Sequence, residues 1–542
     1  RADTPTGAAY DFQTGKDIGR YYVADNVGVS DNNTTNYKTQ LNGRLQYETT
    51  IAQNHNIGAM FVYSEEYWHT RSTGASRNDR IHPSTSEINA ALTNVQSNSG
   101  SSASEGLRSY IGRMNYSAYD KYLLEFSFRV DGSSKFIKGH QYGFFPTVAV
   151  GWRFTEEEFL KKYLSSWLSS GKLRASWGKL GDNSGVDRFE QLETLTAMNY
   201  MSSDVVKGFV NKKMINKDLS WEVSTDINVG LDLGFLNNRL RTEIDFYNRL
   251  RTGMNRPSQM SIHLTGAYSA PRANIGDLLN RGLELNLTWK DKIGNVEYSV
   301  NLNGAYNRTV LKEWNEFLSR GWVYLDMPYH FLYVYENNGI AQTWQDIYNN
   351  TPQGLSPGDV IRKDLNGDGI IDGKDKKAYP NIQRDRPTTT YGITLQAAWK
   401  GFDISMLFNG GLGRKDFWLT DFNNTAFADR RYASTWDHWT EPWSLENRGG
   451  EWPRLGTSTD RSDNSYWLYN MNYLRMKNIM LGYNLPKKLL SKISMTNLRI
   501  YASAENLFTV TQYPGLDPEK KNSARDLYPI NRSFSIGLNV SF

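Results

Sequence analysis

Apolar and polar residues alternate over long stretches of this chain. In residues 534–540 every second side chain is apolar, and the residues between them are serine, glycine or asparagine. This two-residue period is that of a β-strand with one apolar and one polar face. The same period recurs in residues 227–246 on both sides of the short turn 236–238, which predicts an antiparallel hairpin. About fifteen such strands, each roughly ten to fifteen residues long, can be counted along the chain.

The connections between the predicted strands alternate between short turns and long loops. The short turns are Asp120-Lys121, residues 236–238, residues 291–295 and Lys400-Gly401, and the long loops cover roughly residues 70–105, 180–220, 252–278, 309–388 and 413–465. Short turns on one side of a sheet and long loops on the other are typical of outer-membrane barrels. Long loops without regular structure are uncommon in a compact soluble domain. The pattern therefore predicts an all-β, antiparallel transmembrane β-barrel with long extracellular loops.

The composition is compatible with a barrel and excludes several other classes. The mean hydropathy is −0.61, but barrel strands expose only half of their residues to lipid, so a low value is expected. Aromatic residues make up 13% of the chain, which suits interfacial girdles or sugar-stacking surfaces. The net charge is only +5 and no block of Lys and Arg stands out, so nucleic acid is not an expected partner. Cysteine is absent, which excludes disulfides, thiolate metal sites and a cysteine nucleophile.

Two short helices are predicted between the strands. Residues 155–168 begin with a predicted capping box of Thr155 and Glu158 and carry apolar side chains on one face. Residues 486–493 begin with a proline, which is favoured in the first turn of a helix. Neither segment carries a pattern that suggests chemistry, so both are expected only to cover an end of the barrel.

Residues 364–375, DLNGDGIIDGKD, match the spacing of a twelve-residue calcium loop. Acidic side chains this close together repel one another, and hard cations prefer such oxygen-rich sites. The last acidic position holds aspartate instead of the usual glutamate, which shortens its reach. We predict a structural Ca²⁺ site here, with an unoccupied polar turn as the alternative. The predicted ligands are Asp364, Asn366, Asp368, the carbonyl of Ile370, Asp372 and Asp375.

Tryptophans are concentrated in one predicted loop. Exposed tryptophans beside acidic residues can stack on sugar rings, but they also pack loops against one another or against a partner protein. Both interpretations remain open from the sequence. The candidate contact residues for a substrate or partner are Trp418, Trp436, Trp439, Trp443 and Trp452.

Catalytic signatures are missing from the sequence. The 7 histidines are scattered and form no HExxH motif. Residues 367–375 are rich in glycine and aspartate but lack the spacing of a phosphate-binding loop, and residues 409–415 open no predicted helix. The chain is therefore not expected to be an enzyme.

Three segments together resemble one family, the SusC-like TonB-dependent outer-membrane transporters of Bacteroidota. The resemblance covers most of the chain from about residue 35. It is carried by residues 145–183, by residues 363–376 with 386–413, and by residues 470–519 with the terminal strand, which ends in Phe542.

The resemblance implies a plugged barrel of about 22 strands that imports oligosaccharides or peptides. TonB would drive the import, and a SusD-like lipoprotein would cover the extracellular loops. Residues 1–542 contain no recognisable plug domain or TonB box. We therefore expect this chain to be the C-terminal part of a longer transporter, whose terminal strand helps to close the barrel.

The leading functional hypothesis is TonB-dependent uptake of oligosaccharides across the outer membrane. Carbohydrate is favoured over peptide because glycan import is the commoner task of the family and because the loop tryptophans suit sugars. The alternatives are a peptide importer of the same family, a passive porin of about 14 to 16 strands, and a surface glycan-binding β protein.

Overall fold

The structure is a computed structural model. It describes residues 8–10, 17–20, 28–78, 86–91, 96–164, 166–201, 205–211, 213–260, 263, 270–315, 324–329, 331–417, 441–454, 464–490, 495–520 and 529–541. Phe542 therefore lies outside the described residues. No helix among the residues described has the length and apolar character needed to cross a membrane.

A single antiparallel sheet of 15 strands forms the body of the protein. Each strand pairs with the next sheet strand along the chain, so the sheet is a continuous meander. This confirms the predicted all-β fold and the approximate number of strands. The sheet strands are β3 (Val29–Ile51), β4 (His55–Arg77), β5 (Gln96–Ala118), β6 (Tyr122–Ser133), β7 (Tyr142–Trp152), β8 (Leu168–Asp182), β11 (Glu222–Phe235), β12 (Leu240–Thr252), β15 (Asp277–Ile293), β16 (Val296–Glu313), β21 (Thr389–Trp399), β22 (Phe402–Leu412), β25 (Tyr473–Asn484), β26 (Asn497–Thr511) and β27 (Ser533–Ser541).

Short strand pairs lie in the connections and near the N-terminus. These are β1 (Ala8–Tyr10) with β2 (Asp17–Arg20), β9 (Leu195–Met201) with β10 (Val205–Asn211), β13 (Asn255–Pro257) with β14 (Arg272–Asn274), β17 (Phe331–Tyr335) with β20 (Lys376–Gln383), β18 (Asn337–Ile340) with β19 (Val360–Arg362), and β23 (Lys415–Phe417) with β24 (Leu468–Asn470).

Helices are few and short in the described part of the chain. Helix α1 (Glu158–Leu164) and helix α3 (Lys487–Leu490) lie within the two predicted helical segments. Helix α2 (Trp344–Tyr348) was not predicted; its Thr343 and Asp346 form a capping box. Single 3₁₀ turns occur at Ile88–Ala90, Phe154–Glu156, Gly373–Asp375 and Ser465–Trp467.

The sheet has one apolar face and one polar face, as the alternation predicts. On β6, Leu124 and Phe126 lie on the apolar face, whereas Glu125 and Ser127 point to the polar face. The apolar side chains remain largely exposed; Ile536, for example, is 85% accessible. Among the described residues no second sheet packs on this face, which is the arrangement of a barrel wall in lipid and not of a soluble sandwich.

The short turns and the long loops lie at opposite edges of the sheet. We call these edges the turn end and the loop end. At the turn end, Asn237 and Asn238 have positive φ angles of 57° and 61°, and Lys400 and Gly401 have φ angles of 46° and 92°. Left-handed residues of this kind reverse the chain tightly.

Both edge strands of the sheet run in the same direction. An odd number of strands in a continuous antiparallel meander places β3 and β27 parallel, each running from the loop end to the turn end. Within the described residues each edge strand has one neighbour only. Direct pairing of β3 with β27 would be parallel, so an all-antiparallel barrel needs an odd number of further strands.

Two details of the sequence interpretation are wrong. Much of the predicted long loop 70–105 is strand, because β4 and β5 pair without interruption from His55↔Ala118 to Arg77↔Gln96. The paired segments are rich in Ser, Thr and Asn and lack an apolar face, so the alternation test could not detect them. The predicted capping box at Thr155 is also absent, since the Thr155 hydroxyl accepts a hydrogen bond from the Gly171 backbone N–H at 2.9 Å.

Candidate functional site

The loop end contains hydrophobic cores of its own. The larger core lies between the connections that follow β16, β22 and β26, and the smaller core lies beside β6, β8 and β11. The long connections are therefore packed structures. The buried members of the larger core are Leu332, Val334, Phe417, Trp467, Met471 and Tyr513, and those of the smaller core are Phe136, Val186 and Leu219.

Arg475 on β25 fixes the connection between β26 and β27. Its side chain is 2% accessible, and its guanidinium donates hydrogen bonds to Asp517 and Glu519, both at 2.9 Å. A third bond, from Nε, reaches Thr509 Oγ1 at 2.8 Å. Buried charges are stable only when they are paired in this way. The segment after β26 is therefore held against the sheet by a buried charge pair.

Arg414 is a second buried arginine at the loop end. Its guanidinium donates to the backbone carbonyls of Pro518, Glu519 and Lys520 at 3.2, 3.0 and 3.1 Å. Its Nε donates to the Arg384 carbonyl at 2.9 Å. We call Arg414 and Arg475 together the arginine clamp, because both hold the segment 517–520.

The charges around Glu519 determine its ionisation. Burial disfavours the charged form of Glu519, but a hydrogen bond from Asn409 and the positive charges of Arg475 and Lys477 outweigh this effect. The pKa of Glu519 is therefore lowered. The carboxylate stays charged, as the ion pair with Arg475 requires.

One part of the polar face carries paired charges. Arg174 donates to Asp232 Oδ1 at 3.1 Å and to Asp245 Oδ1 at 2.6 Å. On neighbouring strands Arg249 donates to Asp226 at 2.6 Å. We call the polar face of β8, β11 and β12 the charged wall.

A neighbouring part of the polar face is rich in amide side chains. Asn301 Nδ2 donates to Asn286 Oδ1 at 2.7 Å, and Asn307 Nδ2 donates to the Tyr247 hydroxyl at 2.6 Å and to Asn280 Oδ1 at 2.9 Å. We call the polar face of β15, β16 and β21 the amide wall. Amide groups offer both donors and acceptors, so this wall can exchange hydrogen bonds with a neutral, hydroxyl-rich molecule.

The predicted calcium loop is ordered by hydrogen bonds within itself. Asp364 accepts from the backbone N–H groups of Gly367 at 2.7 Å and Gly369 at 2.8 Å. Asp375 is fully buried and accepts from the N–H groups of Leu365 at 2.9 Å and Asp372 at 2.8 Å. The tight turn uses two glycines with positive φ, Gly367 and Gly369. The sequence therefore predicted the turn correctly.

Several of the predicted calcium ligands of this loop are exposed to solvent. Asn366, Asp368 and Ile370 are exposed, and Lys374 Nζ lies 3.7 Å from Asp368 and 3.8 Å from Asp372. Within the described part of the chain, no group of three or more His, Asp or Glu side chains is arranged to hold a metal ion. In this arrangement the residues do not form a ready calcium cage.

Trp443 and Trp452 are the two candidate contact residues that the structure describes, and both are packed inside the loops. Trp443 is buried, and its ring lies against Gly358. The Trp452 ring stacks on Trp467 with a centroid distance of 6.4 Å, and the backbone N–H of Trp443 donates to the Trp452 carbonyl at 2.7 Å. These contacts place both residues in the packing role. The other members, Trp418, Trp436 and Trp439, lie outside the described residues.

Sequence reasoning missed an aromatic cluster beside the predicted calcium loop. The Tyr324 ring lies 5.5 Å from Phe331 and 5.7 Å from Tyr333, measured between centroids. The Tyr333 hydroxyl donates to the Gly373 carbonyl at 3.0 Å. Tyr324 is 42% accessible, so the cluster can contact a ligand or partner. The run FLYVY at 331–335 was the available signal.

Sequence reasoning also missed the arginine clamp, because isolated arginines in an alternating strand carry no distinctive pattern.

Comparisons with known proteins identify the family. A family model described as TonB dependent receptor-like, beta-barrel matches residues 2–507. TonB-dependent receptor P3 of Formosa agariphila is 30% identical over 94% of this chain and 52% of that protein. TonB-dependent receptor SusC of Bacteroides thetaiotaomicron is 30% identical over 80% of this chain and 44% of that protein.

Solved structures show the same fold. The structure of the RagAB peptide transporter superposes with a TM-score of 0.80 at 23% identity, covering 95% of this chain and 56% of the other. The chain spans about half the length of the curated relatives it matches. In such barrels the apolar face meets lipid, the polar face lines the lumen, and short turns lie on the periplasmic side. The chain belongs to the TonB-dependent receptor family, as a SusC-like β-barrel of the outer membrane.

Proposed function

We propose that this chain is the C-terminal barrel part of a TonB-dependent transporter that imports oligosaccharides across the outer membrane. Family membership supports transport. The amide wall is the single observation that favours an oligosaccharide, because its side chains match the hydroxyl groups of a sugar without requiring a charge on the substrate. The loop tryptophans no longer carry this argument, since Trp443 and Trp452 are packed.

The direction of the edge strands supports an additional part of the barrel. Because β3 and β27 run parallel, we propose that further strands from the remainder of the transporter pair with both edges. The same remainder would supply the plug domain and the TonB box. This arrangement argues against a passive porin built from these strands alone, since such barrels have an even number of antiparallel strands.

A SusD-like lipoprotein is the partner that we propose for the loop end. The arginine clamp and the two loop cores give this end a fixed shape, which lowers the ordering cost of binding a protein lid. A surface glycan-binding role without transport would need no such barrel.

We also propose that residues 364–375 bind Ca²⁺ after their carboxylates rearrange around the ion.

A peptide is the second candidate substrate. The RagAB structure, which superposes with a TM-score of 0.80, is that of a peptide transporter. The charged wall could bind peptide termini or charged side chains. Its described charges are already paired with one another, however. A peptide would have to displace these ion pairs. The amides of the amide wall are also bonded to one another, but a sugar would exchange neutral hydrogen bonds there, which are weaker than those between charged groups.

The test is growth and uptake in the native host. A strain that lacks the full-length protein should stop growing on a particular oligosaccharide as the sole carbon source and grow normally on peptides. Removing TonB should have the same effect. Loss of growth on peptides alone would establish the second candidate, and unchanged growth and uptake on both would overturn the proposal of import.

A point variant tests the role of the amide wall. Asn303 is exposed on the polar face of β16, and Asn303→Ala should lower oligosaccharide uptake about fivefold, the effect of losing roughly one hydrogen bond. The matched control is Asn295→Ala in the turn between β15 and β16, which should leave uptake unchanged. Equal uptake by both variants would show that the amide wall does not contact the substrate during import.

A further inference from the structure

The turn end carries a girdle of aromatic residues on the lipid-facing side. Neighbouring strands pair Leu240 with Trp289 and Trp399 with Phe402, and Phe402 packs against Tyr483 at a centroid distance of 4.4 Å. Aromatic girdles mark the level of the lipid headgroups in membrane barrels. The periplasmic interface therefore lies at the ends of these strands.

The segment that leads into helix α1 folds over the lipid-facing side of the sheet. Gly171 pairs directly with Leu233 of the apolar face, so both positions lie on that face. A Cβ atom at Gly171 would lie only 2.3 Å from Phe154 Cζ. The Phe154 ring therefore covers Gly171 from the lipid side.

Glu157 fastens the same segment to the girdle. The Tyr122 hydroxyl donates to Glu157 Oε1 at 2.6 Å, and Trp152 Nε1 donates to the same atom at 3.2 Å. Tyr122 and Trp152 are paired neighbours on β6 and β7, and Trp152 pairs in turn with Leu173 of the apolar face. Helix α1 thus begins beside the outer surface of the barrel, at the level of the girdle.

The far end of the α1 segment returns to the same surface. The Trp167 ring stacks on Phe235, with a centroid distance of 5.8 Å and an interplanar angle of 22°. Phe235 ends the apolar row of β11. Both ends of the α1 segment are therefore anchored on the lipid-facing side.

Between these anchors α1 exposes a large apolar surface. Phe159 and Tyr163 are 64% and 74% accessible and lie four residues apart, on one face of the helix. Trp167, which follows the helix, is 50% accessible. Lys161 lies on the opposite side of the helix, and Lys162 lies at the side of the aromatic face. Aromatic residues opposed by lysines are typical of helices that lie in a membrane interface.

We propose that α1 is an interfacial anchor that binds the phospholipids of the periplasmic leaflet. Phe159 and Tyr163 enter the boundary between headgroups and acyl chains, with Trp167 at the same level. Lys162 meets the lipid phosphates at the side of the helix, and Lys161 faces the periplasm. The occupant is lipid because both ends of the α1 segment are fixed on the lipid-facing girdle, through Glu157 and Trp167. The anchor fixes the height and tilt of the barrel wall at β7 and β8.

Depth-dependent quenching tests the proposal. The chain contains no cysteine, so Tyr163→Cys in the full-length protein, with any cysteine elsewhere replaced, can carry a single fluorophore. The labelled protein is placed in nanodiscs of phosphatidylethanolamine and phosphatidylglycerol. A nitroxide near the headgroup should remove most of the fluorescence, and a nitroxide at the end of the acyl chain should remove much less.

Lys161→Cys is the matched control, because it places the same fluorophore on the polar side of the same helix. We expect weak quenching there by either nitroxide. Equal, weak quenching at both positions would overturn the proposal and indicate a protein partner for the aromatic face. Strong quenching at Tyr163→Cys by the deep nitroxide alone would also contradict an interfacial position.

Hydrogen exchange provides a second test that needs no substitution. The amides of residues 158–164 in the full-length protein should exchange more slowly in nanodiscs than in a detergent micelle. The turn 119–121, which joins β5 to β6 at the same end, should change little. Identical exchange of α1 in both environments would contradict lipid binding.

Discussion

The tight turns at the turn end of the barrel are shaped by residues adjacent in the sequence, whereas the loop end is held by residues far apart in the chain. At the turn end Asn237, Asn238 and Lys400 reverse the chain through their own left-handed backbone. At the loop end Arg414 binds carbonyls more than a hundred residues away, and Arg475 binds Asp517. The comparison teaches that local backbone chemistry makes the tight periplasmic turns, and that non-local buried charge pairs fix the extracellular connections.

Removing one arginine of the arginine clamp should destabilise the loop end more than any other change considered. Arg475→Met leaves Asp517 and Glu519 without their buried cation, at an expected cost of about 3–5 kcal/mol. Hydrogen exchange of residues 512–520 should rise strongly while the turn end remains protected. The matched control is Arg239→Met, because Arg239 is 55% accessible in its ion pair with Asp291 at the turn end, and it should cost less than about 1 kcal/mol. Similar losses in both variants would contradict the difference between the two ends.

A smaller loss is expected where a loop tryptophan packs on a glycine. Gly358 has a φ of 93°, and an added Cβ would lie 2.4 Å from the Trp443 ring. Gly358→Ala should cost roughly 2–3 kcal/mol, because it combines backbone strain with a steric clash. Gly354→Ala is the control, since its φ is 66° but no atom lies within 4 Å of the new Cβ. Near-ultraviolet circular dichroism of the tryptophans should change only for Gly358→Ala.

The predicted calcium loop offers an intermediate case, because it is local in sequence but lies at the loop end. Asp375→Asn weakens the acceptor of two backbone hydrogen bonds, at an expected cost of about 1–2 kcal/mol. If the loop binds Ca²⁺, calcium should also slow hydrogen exchange of residues 364–375 in the unchanged protein, and Asp375→Asn should abolish this effect. If hydrogen exchange did not respond to calcium, the metal site would be contradicted. The local hydrogen bonds alone would then explain the order of the loop.

Acidification should loosen this loop in a defined direction. Hydrogen bonds from the backbone N–H groups of Gly369 and then Gly367 hold the pKa of Asp364 below its usual value. A lowered pKa in the folded state gives stability that is present above the usual aspartate pKa of about 4. That stability is lost as the pH falls through the lowered pKa. Exchange of residues 364–369 should therefore rise below about pH 4, and a rise already at neutral pH would contradict the assignment.

The smallest effect is expected at the turn end. Leu236 has a φ of 51°, so Leu236→Gly should relieve left-handed strain and raise the free energy of unfolding by up to about 1 kcal/mol. Asn295→Gly, in a turn position without positive φ, should lower it slightly. Urea unfolding of the two variants in detergent measures the difference. If both Leu236→Gly and Asn295→Gly were stabilising, the positive φ at Leu236 would not explain the difference that we expect between the two turns.

The same comparison explains how much could be predicted from sequence. Strand number, the two faces of the sheet and the turns at 236–238 and Lys400-Gly401 follow from alternation and turn chemistry, which are local. The strands continued into residues 70–77 and 96–105 without an apolar pattern, because pairing with a neighbour stabilised them. The loop end depends on Arg414, Arg475 and packed tryptophans, whose partners are distant, so the sequence could not decide between a contact role and the packing role in which Trp443 is buried.

The central claim is that these strands are one part of a larger, all-antiparallel barrel. The most direct measurement is a cryo-electron microscopy map of the full-length protein in lipid nanodiscs. The account predicts that β3 and β27 each pair with a strand from outside residues 28–541, and that the barrel has an even number of strands. A map in which β3 pairs directly and in parallel with β27 would contradict it.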